Sequence, residues 1–190
     1  EREVDEAGLR FLGLIGFTDP PRACVRDSIA ECQAAGIRVI MITGDHPLTA
    51  HHVAEAIGLR HDDAYIVTGG RLERLDDVHL QRLLPLASIF ARITPAEKHR
   101  LVRAFKESRA IVAMTGDGIN DAPALREADV GVAMGQRGTE VAREAATMVL
   151  LDDNFRTIVA AVREGRRIFD NLQNVFRYLV AFHIPIVLPA

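Results

Sequence analysis

The chain has 190 residues, 48% hydrophobic and 26% charged, which is enough to bury a sizeable core and leaves no room for several membrane spans. Lys plus Arg (23) against Asp plus Glu (26) gives a net charge of -3, so no strong basic field exists to hold a nucleic-acid backbone, and no nucleic-acid partner is expected. Lys98 and Lys106 are the only lysines, so a lysine at a special position is informative.

In chain order, short apolar runs alternate with amphipathic stretches, the pattern of an α/β domain built on a parallel sheet. No signal peptide opens the chain, and a start at Glu1 is expected of a piece of a longer protein. Strands are predicted at 10–16, 38–43, 64–68, 89–92, 110–115, 130–134 and 148–151. A helix from Arg22 is closed by Gly36; the next opens at Pro47, behind Asp45 and His46, and closes at Gly58. Cys24 and Cys32 lie eight apart on the first of these, roughly 12 Å along the axis, too far for a disulfide, and read as buried free thiols. His51 and His52 have no Cys or carboxylate at ligand spacing and are expected to be surface histidines. Thr94, Pro95 and Glu97 form a capping box, which sets Lys98 in the first turn of a helix just after a strand. From Asn154 to about Ala181 one long helix is predicted, with Arg163, Arg166, Arg167 and Arg177 ahead of an apolar end, the pattern of a stalk approaching a membrane from its cytoplasmic side. There is no internal repeat. One α/β domain, 1–153, is therefore expected, followed at 154–190 by the stalk and the start of a transmembrane helix.

In an open parallel sheet the ligand site lies outside the carboxyl ends of the strands. Three segments deliver polar groups there: Thr43-Gly44-Asp45, Lys98, and Thr115-Gly116-Asp117-Gly118-Ile119-Asn120-Asp121. A strand, then Gly, then a helix N-terminus suits phosphate, and the carboxylates of Asp117 and Asp121 suit Mg²⁺. A hydroxyl, a lysine and a Mg²⁺ site together make a phosphoryl-transfer constellation. Taken singly, each has an ordinary explanation: a capped helix start, a solvated lysine, a strand-terminating carboxylate. The absence of GxGxxG argues against a dinucleotide-binding dehydrogenase.

The strings DPPR (19–22), MITGDHPLTA (41–50), ARITPAEK (91–98), MTGDGINDAPAL (114–125), GVAMG (131–135) and LLDDNF (150–155), followed by GRRIFDNLQNVFRYL, run through nearly the whole chain. It resembles the phosphorylation domain of P-type cation-transporting ATPases, a branch of the haloacid dehalogenase superfamily. The resemblance implies a Rossmann-like parallel sheet with Mg²⁺ as cofactor and ATP as substrate. It implies that Thr43 and Lys98 bind the phosphoryl group, that Asp117 ligates Mg²⁺, and that Asn120 and Asp121 support the phosphate and the metal shell. By the same likeness Gly44, Asp45 and Arg92 lie beside the nucleotide, and Asp19 and Arg22 belong to a loop near the hinge.

Such pumps carry their nucleophilic Asp in a DKTGT string, which is absent here, as are the TGE loop of the actuator domain and the nucleotide-binding insert. The resemblance therefore implies the carboxyl-side part of the phosphorylation domain and the start of the fifth membrane helix, inactive alone. Its partners would be ATP, a transported cation, the membrane and the missing nucleotide-binding, actuator and transmembrane segments of a multi-pass protein. His183, Pro185 and Ile186 fall where many relatives place ion ligands, which leaves the ion open. The competing readings are a soluble phosphatase of the superfamily and a non-catalytic regulatory fragment.

Overall fold

The structure, a computed structural model, describes residues 10–16 and 20–187. Among the described residues six strands and eight α-helices alternate, as expected of a parallel α/β fold. The strands are β1 (Met41–Ile42), β2 (Ile66–Thr68), β3 (Ile89–Ala91), β4 (Ala113–Gly116), β5 (Val130–Met134) and β6 (Met148–Leu150). The helices are α1 (Ala23–Ala34), α2 (Pro47–Ala56), α3 (Gly69–Glu73), α4 (Asp77–Leu83), α5 (Pro95–Glu107), α6 (Ala122–Glu127), α7 (Glu140–Ala145) and α8 (Phe155–Val187).

All pairings are parallel, and the hydrogen-bonded ladder comes in two parts, ordered β1-β3-β2 and β4-β5-β6. The central strand β3 is buried along its length, and β5 through its middle three residues; β1 and β4 each pair on one side only among the described residues and stay half-exposed. The first part rests on large side chains: Phe90, Leu72, Leu80, Leu84 and Leu101 are almost fully buried, and Phe105 meets Phe90 edge to face at 6.4 Å. In the second part the core is built of Ala124, Ala128, Ala133 and Ala142 with Val102, Met114 and Leu125. There backbone replaces side chain as packing material: a Cβ on Gly131 would lie 2.3 Å from the Leu125 carbonyl oxygen, so only glycine lets α6 settle on β5.

Local signals explain the helix limits. Gly36 and Gly58, at φ +74° and +69°, end the turns after α1 and α2 in the left-handed region. The capping box of α5 forms as expected, with the Thr94 N–H donating to Glu97 Oε2 at 2.7 Å and the Glu97 N–H to Thr94 Oγ1 at 3.4 Å. Asp152 caps α8: its carboxylate accepts from the Asn154 N–H and the Thr157 hydroxyl, and these bonds, led by the hydroxyl, hold its pKa below the usual carboxylate range. Cys24 and Cys32 are free thiols on α1, with Cys32 buried and Cys24 only half-buried.

One expected strand does not form. Among the described residues, 10–16 join no ladder, and Leu12 and Leu14 are 92% and 93% exposed. Apolar spacing makes a segment fit for burial, but a strand exists only where a neighbouring ladder accepts its N–H and C=O groups. Asp19 lies outside the described residues.

Candidate functional site

The Thr43-Gly44-Asp45 loop leaves the carboxyl end of β1 and is fastened to the turn after β3. The Thr43 N–H donates to the Phe90 carbonyl at 2.9 Å, the Ile93 N–H to the Thr43 carbonyl at 3.0 Å, and the Arg92 N–H to the Asp45 carbonyl at 3.0 Å. Thr43 Oγ1 accepts the Asp45 N–H at 3.1 Å, so its own hydroxyl hydrogen remains for an acceptor outside the loop. Gly44 and Asp45 are exposed, as is Arg92, whose backbone sits at φ +53°. A Cβ on Gly69 would meet the Arg92 carbonyl at 2.4 Å, so a second glycine permits this turn.

Four residues after the α5 N-cap, Lys98 reaches across to the loop after β4. Its Nζ donates to Asp121 Oδ1 at 2.7 Å. Asp121 is 6% exposed, and its Oδ2 accepts the N–H groups of Gly118 at 3.1 Å and Asp117 at 3.3 Å. Both Asp121 oxygens are thereby engaged with the chain itself. The carboxylate lies so close over the strand end that a Cβ on Gly116 would be 2.6 Å from its Cβ. Asp117, by contrast, is exposed and only its main chain is held, with its carbonyl accepting the Thr139 N–H at 2.9 Å. Asn120 is exposed on the same turn.

Two local networks hold the sequence-predicted residues: one fastens the Thr43 loop to the turn between β3 and α5, and the other runs from Lys98 through Asp121 to the Asp117 backbone. Asp117 offers an exposed carboxylate, an oxygen donor of the kind Mg²⁺ takes alongside water and phosphate oxygens. Asp121 has no oxygen lone of protein partners, which makes it the group that orients Lys98.

Sequence reasoning missed three things. Lys106 is no free surface lysine: its Nζ donates to the Glu127 carbonyl at 2.6 Å and lies 3.6 Å from Asp129 Oδ1. A spacing of eight, just over two helical turns, puts it on the same side of α5 as Lys98, and that signal was in the sequence. Asp153, at φ +49°, accepts the N–H groups of Gln136 at 3.0 Å and Arg137 at 2.8 Å, while its carbonyl accepts Arg22 Nη1 at 2.6 Å. Burial raises its pKa, yet these backbone donors and Arg22 outweigh that and bring it below the usual range. The strings DPPR and DDNF thus meet at Arg22 and Asp153. Finally, His51 is not a surface histidine; it is half-buried against His61 and Asp63, which approach from beyond the Gly58 turn.

A family model of haloacid dehalogenase-like hydrolases matches residues 1–129. The chain is 47% identical over 182 residues to a calcium-transporting ATPase of Bacillus subtilis (strain 168), across 96% of this chain and 20% of that protein. It is 43% identical over 208 residues to the sodium/potassium-transporting ATPase subunit alpha-B of Artemia franciscana, across 96% of this chain and 21% of that one. Among solved structures, a zinc-transporting PIB-type ATPase in its E2.Pi state superposes with a TM-score of 0.62 at 30% identity, over 82% of this chain and 21% of that one. The chain spans about a fifth of the length of these curated relatives.

Proposed function

Because the chain belongs to the haloacid dehalogenase-like hydrolases, in the branch of the P-type cation-transporting ATPases, we propose that it serves as the carboxyl-side part of the phosphorylation domain of an ATP-driven cation pump. The observation that carries this reading is the Lys98–Asp121 ion pair, which aims a lysine at the loop where the Asp117 carboxylate is free. Lys98 supplies a compact positive charge to the transferring phosphoryl group, and Asp121 holds it there. The Thr43 hydroxyl donates to a phosphoryl oxygen, with Asn120 as a further donor and Gly44, Asp45 and Arg92 along the nucleotide. Asp117 would hold Mg²⁺, with Asp121 in the shell behind it; the bound ion would neutralise charge on the phosphate oxygens.

The nucleophilic Asp lies on an upstream strand, which we place between the free edges of β1 and β4. Among the described residues both edges have backbone groups that join no ladder, and a parallel strand inserted there would make one continuous sheet. Past Arg163, α8 is exposed throughout the part described, including Phe169, Leu172, Phe176, Tyr178 and Phe182. We read it as a stalk leading from the cytoplasmic side to a membrane segment. Among the described residues no helix is itself long and apolar enough to cross a membrane. Relatives named for calcium and for sodium and potassium match about equally well, which is expected if this segment carries the phosphoryl chemistry and the ion is chosen elsewhere.

The test uses radiolabelled ATP and acid precipitation. The chain alone takes no covalent label, because charge-stabilising groups do not replace a nucleophile; a longer chain that restores the upstream Asp strand forms an acid-stable phosphoenzyme. Label on the chain alone overturns the reading, as does a longer chain that stays unlabelled.

A further inference from the structure

A second polar cluster sits at the far end of α2. His51 Nδ1 lies 3.1 Å from His61 Nε2 and 2.8 Å from Asp63 Oδ1, and the last two atoms are 3.4 Å apart. Three ligand-type atoms thus converge on one point. The His61 side chain is 8% exposed and that of His51 21%, while Asp63, at 71%, opens the cluster to water.

The tautomers follow from the surroundings. His61 Nδ1 is 2.8 Å from the Leu59 carbonyl, which can only accept, so Nδ1 carries the hydrogen and the neutral ring turns the lone pair of Nε2 toward His51. Glu55 Oε2 lies 3.5 Å from His51 Nε2 on the ring's other side, where it favours a proton on Nε2 and a lone pair on Nδ1. Without an ion, His51 must carry a proton on Nδ1 instead, and that single proton must serve two acceptors that face each other across 3.4 Å. A dication in place of that proton satisfies all three atoms.

From this geometry we propose that His51, His61 and Asp63 form a binding site for a transition-metal dication of the Zn²⁺ class, separate from the phosphoryl site. Ligand bonds of about 2.0–2.1 Å in a tetrahedron put neighbouring donors roughly 3.3 Å apart, close to the three spacings observed. Two imidazole nitrogens and one carboxylate suit Zn²⁺ and exclude Mg²⁺, which takes oxygen donors. The fourth position faces solvent beside Asp63 and takes water. His52, 74% exposed, lies outside this trio, on the side of His51 that faces Glu55. The ion would clip the end of α2 to the segment leading into β2.

Zn²⁺ added to the metal-free chain in a calorimeter, with melting followed in parallel, tests the site. One Zn²⁺ per chain is expected to bind and to raise the melting temperature, with excess Mg²⁺ failing to compete. Asp63→Asn, at an exposed position that folding tolerates, and His61→Ala should each weaken binding roughly tenfold or more. His52→Ala should bind like wild type, and Co²⁺ should give the visible absorption of a tetrahedral N/O site in wild type but not in Asp63→Asn. Absence of saturable binding overturns the proposal. So does equal affinity in wild type and Asp63→Asn, since that would put the ion elsewhere on the chain.

Discussion

The two sheets solve the same packing problem with opposite materials. Around β3 the space between strand and helix is filled by Phe90, Leu72, Leu80 and Leu101; around β5 it is closed by alanines and by glycines whose missing Cβ lets backbone touch backbone. The first half therefore tolerates no loss of volume and the second no gain. Helix α5 belongs to both, giving Leu101 and Ala104 to one core and Val102 to the other. Both lysines of the chain lie on α5 and both cross to the second half, Lys98 to Asp121 and Lys106 to Glu127. The candidate site is the seam between a bulky half and a close-packed one.

The largest effect expected is on the bulky side. Phe90→Ala should cost about 3–5 kcal/mol in urea unfolding, from lost transfer energy and the cavity left behind. At the seam, Lys98→Arg keeps the charge but replaces a point donor with a planar fork. In a longer chain carrying the nucleophile it should slow phosphoenzyme formation on the order of 100-fold, comparable to removing one charge-stabilising donor, with a near-wild-type melting temperature. If acid-quench time courses show the two proteins equally fast, Lys98 only fastens the halves together. On the close-packed side Gly131→Ala should cost about 1–3 kcal/mol by overpacking, although it adds a single methyl group. A neutral result in the same urea titration would remove the contrast between the halves.

The smallest effect is a pH dependence at Asp153. Its folded pKa lies below the unfolded value of about 3.9. Its contribution is therefore fully present above that value and is lost as pH falls from there through the folded pKa. Asp153→Asn should be less stable than wild type at neutral pH, and the two should converge in strong acid. A gap in melting temperature that stays constant down to that range would show that Asp153 acts by shape and not by charge.

Much of this was legible from residue order. The β5 limits, the Pro47 and Pro95 helix starts and the strand-end placement of Thr43, Lys98 and Asp117 follow from periodicity and caps, because those signals act over a few neighbours. What was not legible depends on segments far apart in the chain. Among the described residues, 10–16 have strand-like apolar spacing but join no ladder, and β1, expected over six residues, is limited to Met41–Ile42, which pair on one side only. That Asp121 engages Lys98, and so differs in circumstance from Asp117 four residues earlier, depends on α5 crossing the seam. Glu55 stands one helical turn from His51 and was open to a sequence reading, but His61 and Asp63 reach His51 only after the chain turns at Gly58.

The attachment of α8 has a mechanical side. Its grip on the domain is confined to its beginning: Asp152 at the cap, Phe155 and Val159 against the body, and Arg163 Nη2 on Glu31 Oε2 at 2.6 Å. From Arg163 to Val187 the helix projects roughly 36 Å at ~1.5 Å per residue. Among the described residues it is a cantilever, clamped over about two turns and exposed from Arg163 to His183. A tilt of about 10° at the clamp carries the free end roughly 6 Å, more than a helical turn, by the same rise per residue. Displacements of α1 too small to disturb the Lys98–Asp121 pair would thus arrive at the far end of α8 as movements the size of a side chain.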